Sequence, residues 1–443
     1  MKLAFIAMSG VRAHNPELTK LGLTLPGFVE RNKVIASLPS LGLLTLAGMT
    51  PNDINVDYVE VEDIRAQTGL PGEYDVVAIS SFSAQIKEAY ELADRYRAVG
   101  STVILGGLHV TMCPDEALAH ADSIVIGEGE PVWLQLLHDL QREQLKATYD
   151  ARKSTFNMVF APMPRFELLD VQRYNRITVQ TARGCPFDCE FCAASIRLSP
   201  KYRVKPVQKV IGEIRRIKSL WPNPFIEFAD DNSFVNKNHA KKLLRALANE
   251  GVRWFTESDI SIARDSELLA LMRDSGCAQV LIGLESPSKP GLLGLERKNN
   301  WKARQFDRYL DAIDHIQSHG ISVNGCFVLG LDGTGVESFD AVRKFVQLSG
   351  LHEVQVTVQT AFPNTPLYHR LRKSGRIIQD NAWELCTLFD VNFIPERMTA
   401  DELRENFNKL VKALYSEEET RARKNRFVNK LRHAHRVARS CPV

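Results

Sequence analysis

The chain has 443 residues, of which 44% are hydrophobic and 25% are charged, a balance typical of a globular protein of two or three domains. The net charge of +3 is too small to indicate a nucleic-acid partner, and the sequence has no run of about 18 apolar residues that would predict a transmembrane helix. The segment Met1 to Met8 is too short for a signal peptide and predicts a first strand.

Residues 1–140 alternate between short apolar runs and helical patterns. The clearest helix covers residues 84–99 and ends at Gly100. Continuous apolar strands between helices predict a parallel sheet covered on both faces, which is a doubly wound, Rossmann-like α/β domain. The predicted strands are Leu3–Met8, Val56–Val61, Val76–Phe82, Val103–Leu108 and Ser123–Ile126.

Small and polar residues follow three of these strands, at the edge of the sheet where ligands of doubly wound domains bind. Small residues there allow a backbone to approach a large flat ligand, although tight turns alone also explain such glycines. Upstream, residues 37–48 predict a helix of small and aliphatic residues that includes Gly42 and Leu43. The strand-end residues of interest are Ser81, Phe82, Gly106, Gly107, Leu108, His109, Gly127 and Glu128.

Residues 141–175 predict a linker, because Pro164 breaks the periodicity and only a short apolar turn follows it. From residue 176 to 362 helices repeatedly end at a glycine that leads into a strand, at Gly251, Gly276, Gly320 and Gly350. In the helix before Gly320, one face is predicted to carry Phe306, Leu310, Ile313 and Ile316. Together with strands before Cys185 and at Ile226–Phe228, the pattern predicts six βα units in a partial TIM barrel, with the active site at the carboxyl ends of its strands.

A cysteine loop follows the first predicted barrel strand, with Cys185, Cys189 and Cys192 at Cys-x3-Cys-x2-Cys spacing. Thiolates are the usual ligands of iron–sulfur clusters, which normally have four, so three would leave one iron open. The alternatives are an incomplete zinc site and buried unligated thiols. The remaining cysteines predict buried or free thiols in a reducing cytoplasm; they are Cys113, Cys277, Cys326, Cys386 and Cys441.

Other predicted barrel strands end in acidic or hydroxyl residues, which could hydrogen-bond a bound ligand. For Asp231 and Ser286 a helix cap is an equally good interpretation. The apolar strand that ends in Glu285 would place a carboxylate at the barrel mouth, where it needs a cationic partner. Residues 363–443 predict a mostly helical extension whose last part, from Arg421, is basic and amphipathic, with Phe427, Val428, Leu431, Ala434 and Val437 on one stripe. Such a helix could contact an anionic membrane or a partner, but we favour a solvated helix packed on the barrel.

The cysteine loop, with Phe191 before its last cysteine, resembles that of the radical S-adenosylmethionine (SAM) enzymes. The resemblance implies a [4Fe-4S] cluster on the three cysteines, SAM chelated to the open iron, and cleavage of SAM to a 5′-deoxyadenosyl radical. It also implies SAM contacts from Phe191, Asp230, Ser258 and Glu285.

The string from Gly106 to Glu130 resembles the amino-terminal domain of cobalamin-dependent radical SAM enzymes. Residues 389–395 and the predicted helix from Thr399 resemble the carboxy-terminal extension of a branch that includes hopanoid methylases. Residues 1–150 lack the Asp-x-His-x-x-Gly motif that supplies a histidine ligand to cobalt in other cobalamin domains. The resemblance therefore implies cobalamin without such a ligand, and we interpret His109 as a hydrogen-bonding or loop-structuring residue. Asn364 stands where the family usually has glycine, so that turn is expected to differ.

The resemblance implies an enzyme that methylates an unactivated carbon of a small-molecule or lipid substrate, consuming two SAM, with methylcobalamin as the methyl donor. The alternative is a cobalamin-dependent rearrangement, cyclisation or coupling without methyl transfer. Modification of tRNA or protein is disfavoured because Cys113 is the only cysteine of the amino-terminal domain, and a cobalamin carrier without enzymatic activity is disfavoured by the cysteine loop. Further implied partners are a flavodoxin or ferredoxin as electron donor and, through the basic tail, the inner face of the membrane.

Overall fold

The computed structural model describes residues 1–21, 38–193 and 201–440, with side chains described except at 19–21 and 433–440. Ser37 and Cys441 lie outside the described residues, as do the side chains of Ala434 and Val437. Within the described range no helix is both long and apolar enough to span a membrane.

The amino-terminal region contains a parallel sheet with helices on both faces. Its strands are β1 (Lys2–Met8), β2 (Asn55–Val61), β3 (Val76–Ser80), β4 (Thr102–Gly106), β5 (Ser123–Ile126) and β6 (Thr148–Asp150). Its helices are α1 (Pro16–Leu21), α2 (Leu41–Met49), α3 (Ile86–Ala98), α4 (Leu108–Met112), α5 (Pro114–Leu118) and α6 (Trp133–Gln141). In the described residues the strand order is β2-β1-β3-β4-β5-β6.

This order confirms the doubly wound prediction, because alternate residues of β1 enter two separate cores. Ala4 and Ile6 pack into one core, whereas Leu3 and Phe5 pack into the other. The predicted limit at residue 140 is too early. It falls inside α6, and β6, which lies in the predicted linker, pairs with β5 as a further strand of the sheet. This strand is only three residues long, too short for a periodicity to reveal it.

The second region contains a parallel sheet whose strands follow one another in chain order. They are β7 (Ile177–Val179), then β10 (Phe225–Phe228), β11 (Arg253–Ser258), β12 (Cys277–Glu285), β13 (Ser322–Leu329) and β14 (Glu353–Val358), while β8 (Ala182–Arg183) and β9 (Arg203–Val204) form a separate antiparallel pair. Because the order is sequential, the crossover helices all lie on one face, and the other face lines a cavity, as in a partial barrel. This confirms the predicted fold class.

Glycines in the left-handed conformation end the barrel helices at the four predicted positions, with φ between 64° and 94°. The helices of this region are α7 (Val207–Leu220), α8 (Lys237–Leu247), α9 (Ser266–Asp274), α10 (Lys289–Leu292), α11 (Trp301–Gln305), α12 (Tyr309–Ser318) and α13 (Glu337–Ser349). The predicted face of α12 was wrong at one position. Leu310 is 47% exposed and Tyr309 is buried in its place, with its hydroxyl donating to the carbonyl of Leu284.

The carboxy-terminal extension consists of α14 (Pro366–Lys373), α15 (Ala400–Leu414) and α16 (Glu417–Ser440). Asn364 adopts φ +55°, a left-handed conformation that glycine favours and asparagine tolerates, so its backbone gives no support to the expectation that this turn differs. The described part of α16 packs on the barrel, as favoured from the sequence: Phe427 contacts His352, and Lys430 pairs with Asp314. Buried Arg423 donates to the carbonyl of Leu414 at the end of α15.

Candidate active site

Two aspartates at the end of β10 hold the beginning of the cysteine loop. Asp230 accepts hydrogen bonds from the backbone N–H groups of Thr181 (2.7 Å) and Ala182 (2.9 Å), from the hydroxyl of Thr181, and from the Ser233 hydroxyl (2.8 Å). A carboxylate has about four acceptor positions, so Asp230 is fully engaged. The side chain therefore braces the loop, and its predicted role as a SAM contact stays a prediction. Asp231 likewise accepts from the N–H of Gly184 at 2.9 Å instead of capping a helix.

The other side of the cysteine loop is held by the connection between β12 and α11, which the sequence did not single out. Buried Glu296 accepts from the backbone N–H groups of Asp188 (3.3 Å), Asn299 (3.0 Å) and Trp301 (3.3 Å). The N–H of Glu190 also donates to the carbonyl of Leu295 at 3.0 Å. The only signal in the sequence was a glutamate followed by polar residues, which does not reveal a contact about a hundred residues away.

The three cysteines open onto one cavity of about 600 Å³ at the carboxyl ends of the barrel strands. All four residues predicted to contact SAM line this cavity; they are Phe191, Asp230, Ser258 and Glu285. Burial raises the pKa of Cys185, and it raises the pKa of Cys189 to about 12. Such thiols stay protonated unless a metal stabilises the thiolate, so the donor set fits a metal cluster and not free reactive thiols.

Glu285 has the cationic partner that its predicted burial required. Lys302 from α11 approaches its carboxylate at 2.6 Å and also donates to the carbonyl of Gly283 at 2.9 Å. Burial by itself would lower the pKa of Lys302, but the attraction of Glu285 outweighs it and the pKa is raised. Glu285 also has φ +63°, a strained conformation for a non-glycine residue, which aims its side chain into the cavity.

Glu257, at the end of β11, is a further carboxylate of this cavity, and the sequence did not single it out. It is exposed to the cavity, and no hydrogen bond or ion pair of its side chain is found in the described part of the chain. Burial by the surrounding protein and repulsion from Glu227 and Asp231 raise its pKa to about 7. Glu227, on the neighbouring strand, is by contrast paired with Arg176. Glu257 could therefore accept a positive charge or a hydrogen bond from a ligand.

A second cavity, of about 290 Å³, lies at the carboxyl ends of β3, β4 and β5 beside α2. Six of the ten residues predicted to contact cobalamin line it: Gly42, Leu43, Gly106, Gly107, Gly127 and Glu128. The other four, Ser81, Phe82, Leu108 and His109, do not, and Phe82 is 58% exposed. The glycines leave the wall of this cavity without side chains, which suits a flat ligand. At Gly127 the missing side chain also serves the protein's own packing, because a Cβ there would lie 3.2 Å from the Ala151 carbonyl carbon.

The described residues that line this second cavity include no histidine. His109 is buried, with 1% exposure, on the other side of α4, where its Nδ1 lies 3.0 Å from the Ser83 hydroxyl. This geometry agrees with its interpretation as a hydrogen-bonding, loop-structuring residue.

Buried ion pairs join the two regions at the rim of the second cavity. Arg183, two residues before Cys185, pairs with Glu130 at 2.7 Å and with Glu128 at 3.3 Å. Arg203 from β9 also pairs with Glu128, whose carboxylate in addition accepts from the Phe156 N–H at 3.1 Å. The carboxylate of Glu128 is therefore engaged by protein groups, and it holds the cysteine loop against the amino-terminal domain.

The two cavities adjoin each other. Ala229, between β10 and Asp230, lines both of them, and Gln180 and Arg183 of the barrel line the cavity of the amino-terminal domain. Ligands in the two cavities would thus face each other across the domain interface.

Comparison with known protein families gives three matches. Residues 31–137 match the B12 binding domain, residues 179–347 match the radical SAM superfamily, and residues 365–442 match a domain of unknown function, DUF4070. The chain therefore combines a cobalamin-binding domain with a radical SAM domain.

The chain is also similar to named methyltransferases and to solved structures. The chain is 28% identical to the bacteriochlorophyllide d C-12(1)-methyltransferase of Chlorobaculum tepidum, over 86% of this chain and 83% of that protein. It is 28% identical to the hopanoid C-2 methylase of Rhodopseudomonas palustris, over 83% of this chain and 70% of that protein. The structure of the radical SAM methyltransferase TsrM from Kitasatospora setae, with cobalamin and a [4Fe-4S] cluster, matches with a TM-score of 0.65 at 14% identity, covering 99% of this chain and all of that one, which shows a shared fold.

The chain is a cobalamin-dependent radical SAM enzyme, and its family implies a [4Fe-4S] cluster, SAM and cobalamin as cofactors.

Proposed function

We propose that this enzyme methylates an unactivated carbon of a small-molecule or lipid substrate. The observation that carries the proposal is the shared wall at Ala229, which sets the two cavities face to face. When bound, the cluster and SAM supply a 5′-deoxyadenosyl radical, and cobalamin supplies a methyl group. A substrate at the junction of the cavities would meet both. The methyltransferase names of the relatives support methylation as the outcome, and we assign none of their substrates to this enzyme.

The protein's own residues would bind and orient these groups. We propose that Cys185, Cys189 and Cys192 hold the cluster, and that Phe191, Ser258 and Glu285 face SAM. For cobalamin we propose the six predicted residues that line the second cavity, with Glu128 acting at its rim through Arg183 and Arg203. Asp230 is left out of the SAM contacts because its carboxylate braces the loop.

The proposal is tested by anaerobic reconstitution with iron, sulfide and hydroxocobalamin, followed by turnover with methyl-labelled SAM on candidate substrates. We expect S-adenosylhomocysteine and 5′-deoxyadenosine to form together, and the label to appear in the product. Turnover with bound cobalamin that gives 5′-deoxyadenosine but no S-adenosylhomocysteine would indicate rearrangement, cyclisation or coupling instead of methylation.

The electron donor, a flavodoxin or ferredoxin, is proposed to dock where the connection between β12 and α11 meets the cysteine loop. Leu293 is 64% exposed there and is followed by the exposed residues Arg297 and Lys298, the latter donating to the carbonyl of Pro186 at 3.2 Å. An apolar centre flanked by basic residues suits a small acidic carrier. Replacing Arg297 and Lys298 with glutamate should slow SAM cleavage with the protein donor and leave cleavage with dithionite unchanged. If the variant cleaves SAM as fast as the parent with the protein donor, or loses the same fraction of its rate with both donors, the proposed docking site is wrong.

Contact with the inner, cytoplasmic membrane surface also remains a proposal, supported by the exposed basic residues of α16, namely Arg421, Lys424, Arg426 and Arg432. Because Arg423 and Phe427 of this helix are buried, charge reversal at Lys424, Arg426 and Arg432 tests the surface without removing the packing. The variant should lose sedimentation with anionic liposomes, and unchanged sedimentation would exclude this helix as the contact.

A further inference from the structure

A group of three metal-ligating side chains lies outside both cavities. Nε2 of His109 on α4, Sγ of Cys113 just after it and a carboxylate oxygen of Glu116 on α5 all lie within 4.8 Å of one another. None of the three lines the cavity assigned to cobalamin or the cavity beside the cysteine loop. The proposed methylation uses none of them.

The imidazole of His109 carries the main evidence. It is 1% exposed, and its Nε2 has no hydrogen-bond partner in the described structure. Nε2 and Oε1 of Glu116 are 3.5 Å apart, which is long for a hydrogen bond. The same distance is close to the edge of a tetrahedron of N and O ligands with bonds of about 2 Å, which is about 3.3 Å.

The surroundings orient both donors toward a common point. Nδ1 of His109 lies 3.0 Å from the Ser83 hydroxyl, which can accept a hydrogen bond from it. In that tautomer the ring proton is on Nδ1 and the lone pair of Nε2 is available to a metal ion. The Trp383 indole N–H donates to Oε2 of Glu116 at 3.0 Å, which leaves Oε1 facing His109. Hydrogen-bonded outer partners of this kind accompany most histidine and carboxylate ligands of metal ions.

We propose that His109, Cys113 and Glu116 bind a divalent transition-metal ion, Zn²⁺ by the chemistry of the ligands. One imidazole, one thiolate and one carboxylate suit zinc and, with a neutral histidine, balance its two positive charges in a buried site. Binding of the ion would displace the thiol proton of Cys113 to solvent. Through Trp383 the ion would fasten the amino-terminal domain to the carboxy-terminal extension.

The test uses the full chain with its iron–sulfur cluster reconstituted, so that the three loop cysteines are occupied by iron. After incubation with zinc and removal of the excess, metal analysis should find one zinc per chain. Zinc-edge X-ray absorption, which iron does not disturb, should show one sulfur ligand together with nitrogen or oxygen ligands.

Matched variants decide whether this site holds the zinc. Cys113→Ser and His109→Gln should lose the zinc and its sulfur ligand, while Cys277→Ser, at a buried cysteine away from the site, should keep both. Circular dichroism and iron content establish that the variants fold. Absence of zinc in the parent, or the same zinc content and spectrum in Cys113→Ser, would overturn the proposal and leave an ordinary histidine–glutamate pair.

Discussion

The cavity of the amino-terminal domain and the cavity of the barrel are built on different physical principles. The first is lined mainly by glycines and aliphatic side chains, and its charged residues, Glu128, Glu130 and Arg183, are paired with one another at the rim. The second contains carboxylates from three strand ends, among them Glu227, Asp230, Asp231, Glu257, Asp259 and Glu285. The first selects a ligand by shape, whereas the second selects by charge.

This difference explains how each cavity is stabilised. Close backbone approach shapes the first, as at Gly129, where a Cβ would lie 3.2 Å from Leu46. In the second, buried carboxylates require partners. Lys302 supplies one for Glu285 and Arg176 supplies one for Glu227, but Glu257 is exposed to the cavity with its pKa raised. The two designs can therefore be disturbed separately.

Loss of a cluster ligand should have the largest effect and should leave the amino-terminal cavity intact. We expect Cys185→Ser, Cys189→Ser and Cys192→Ser to lose bound iron and to reduce formation of 5′-deoxyadenosine by more than about 100-fold. Cobalamin affinity, followed by absorbance titration, should stay within about twofold of the parent, which is about 0.4 kcal/mol. If iron and cobalamin were lost together, the two cavities would not be independent.

Filling the amino-terminal cavity should have the opposite pattern. Gly42 lines it, and a Cβ built there meets nothing within 4 Å. Gly42→Trp should therefore occupy the space and weaken cobalamin binding at least about tenfold, or about 1.4 kcal/mol. Gly42→Ala is the control, because a methyl group fits and should stabilise α2 by about 0.5–1 kcal/mol. Retention of cobalamin by the Trp variant would show that the ligand binds elsewhere.

The sequence predicts where these sites lie in the fold better than it predicts which groups their side chains hydrogen-bond or pair with. The strand ends carrying Gly106, Gly127, Cys185 and Glu285 could be placed because parallel strands end at a common edge of the sheet. The bracing role of Asp230 could not be predicted, because the backbone N–H groups that donate to its carboxylate, those of Thr181 and Ala182, follow a different strand. Lys302, Glu296 and the exposed carboxylate of Glu257 depend in the same way on contacts that no local pattern records.

Breaking the pair between Glu285 and Lys302 tests the charge-based design. Glu285→Gln leaves a buried ammonium without its counter-charge and should lower the free energy of unfolding by about 3 kcal/mol. Replacing Lys302 with methionine in the same chain should restore part of that loss. The control, Glu267→Gln, removes an exposed carboxylate that pairs with Lys241 and Arg245, and it should change stability by less than about 1 kcal/mol. Urea denaturation of the cofactor-free protein measures all three, and equal effects at both sites would contradict the proposed role of burial.

The effect expected at Glu257 appears as a dependence of stability on pH. Its folded-state pKa is raised to about 7, whereas a glutamate in the unfolded chain titrates near about 4.3. Between these values the folded protein holds a proton that the unfolded chain has lost, so the contribution of Glu257 to stability falls as pH rises and is constant above about pH 7. Glu257→Gln removes this slope, and the variant should gain stability relative to the parent at pH 8 but not at pH 4.5, as measured by urea midpoints.

A bound cation beside Glu257 would stabilise the carboxylate and reduce the parent's slope. With the cluster in place, SAM should therefore reduce it and S-adenosylhomocysteine, which lacks the positive sulfur, should not; equal effects of the two ligands would separate Glu257 from the charge of SAM.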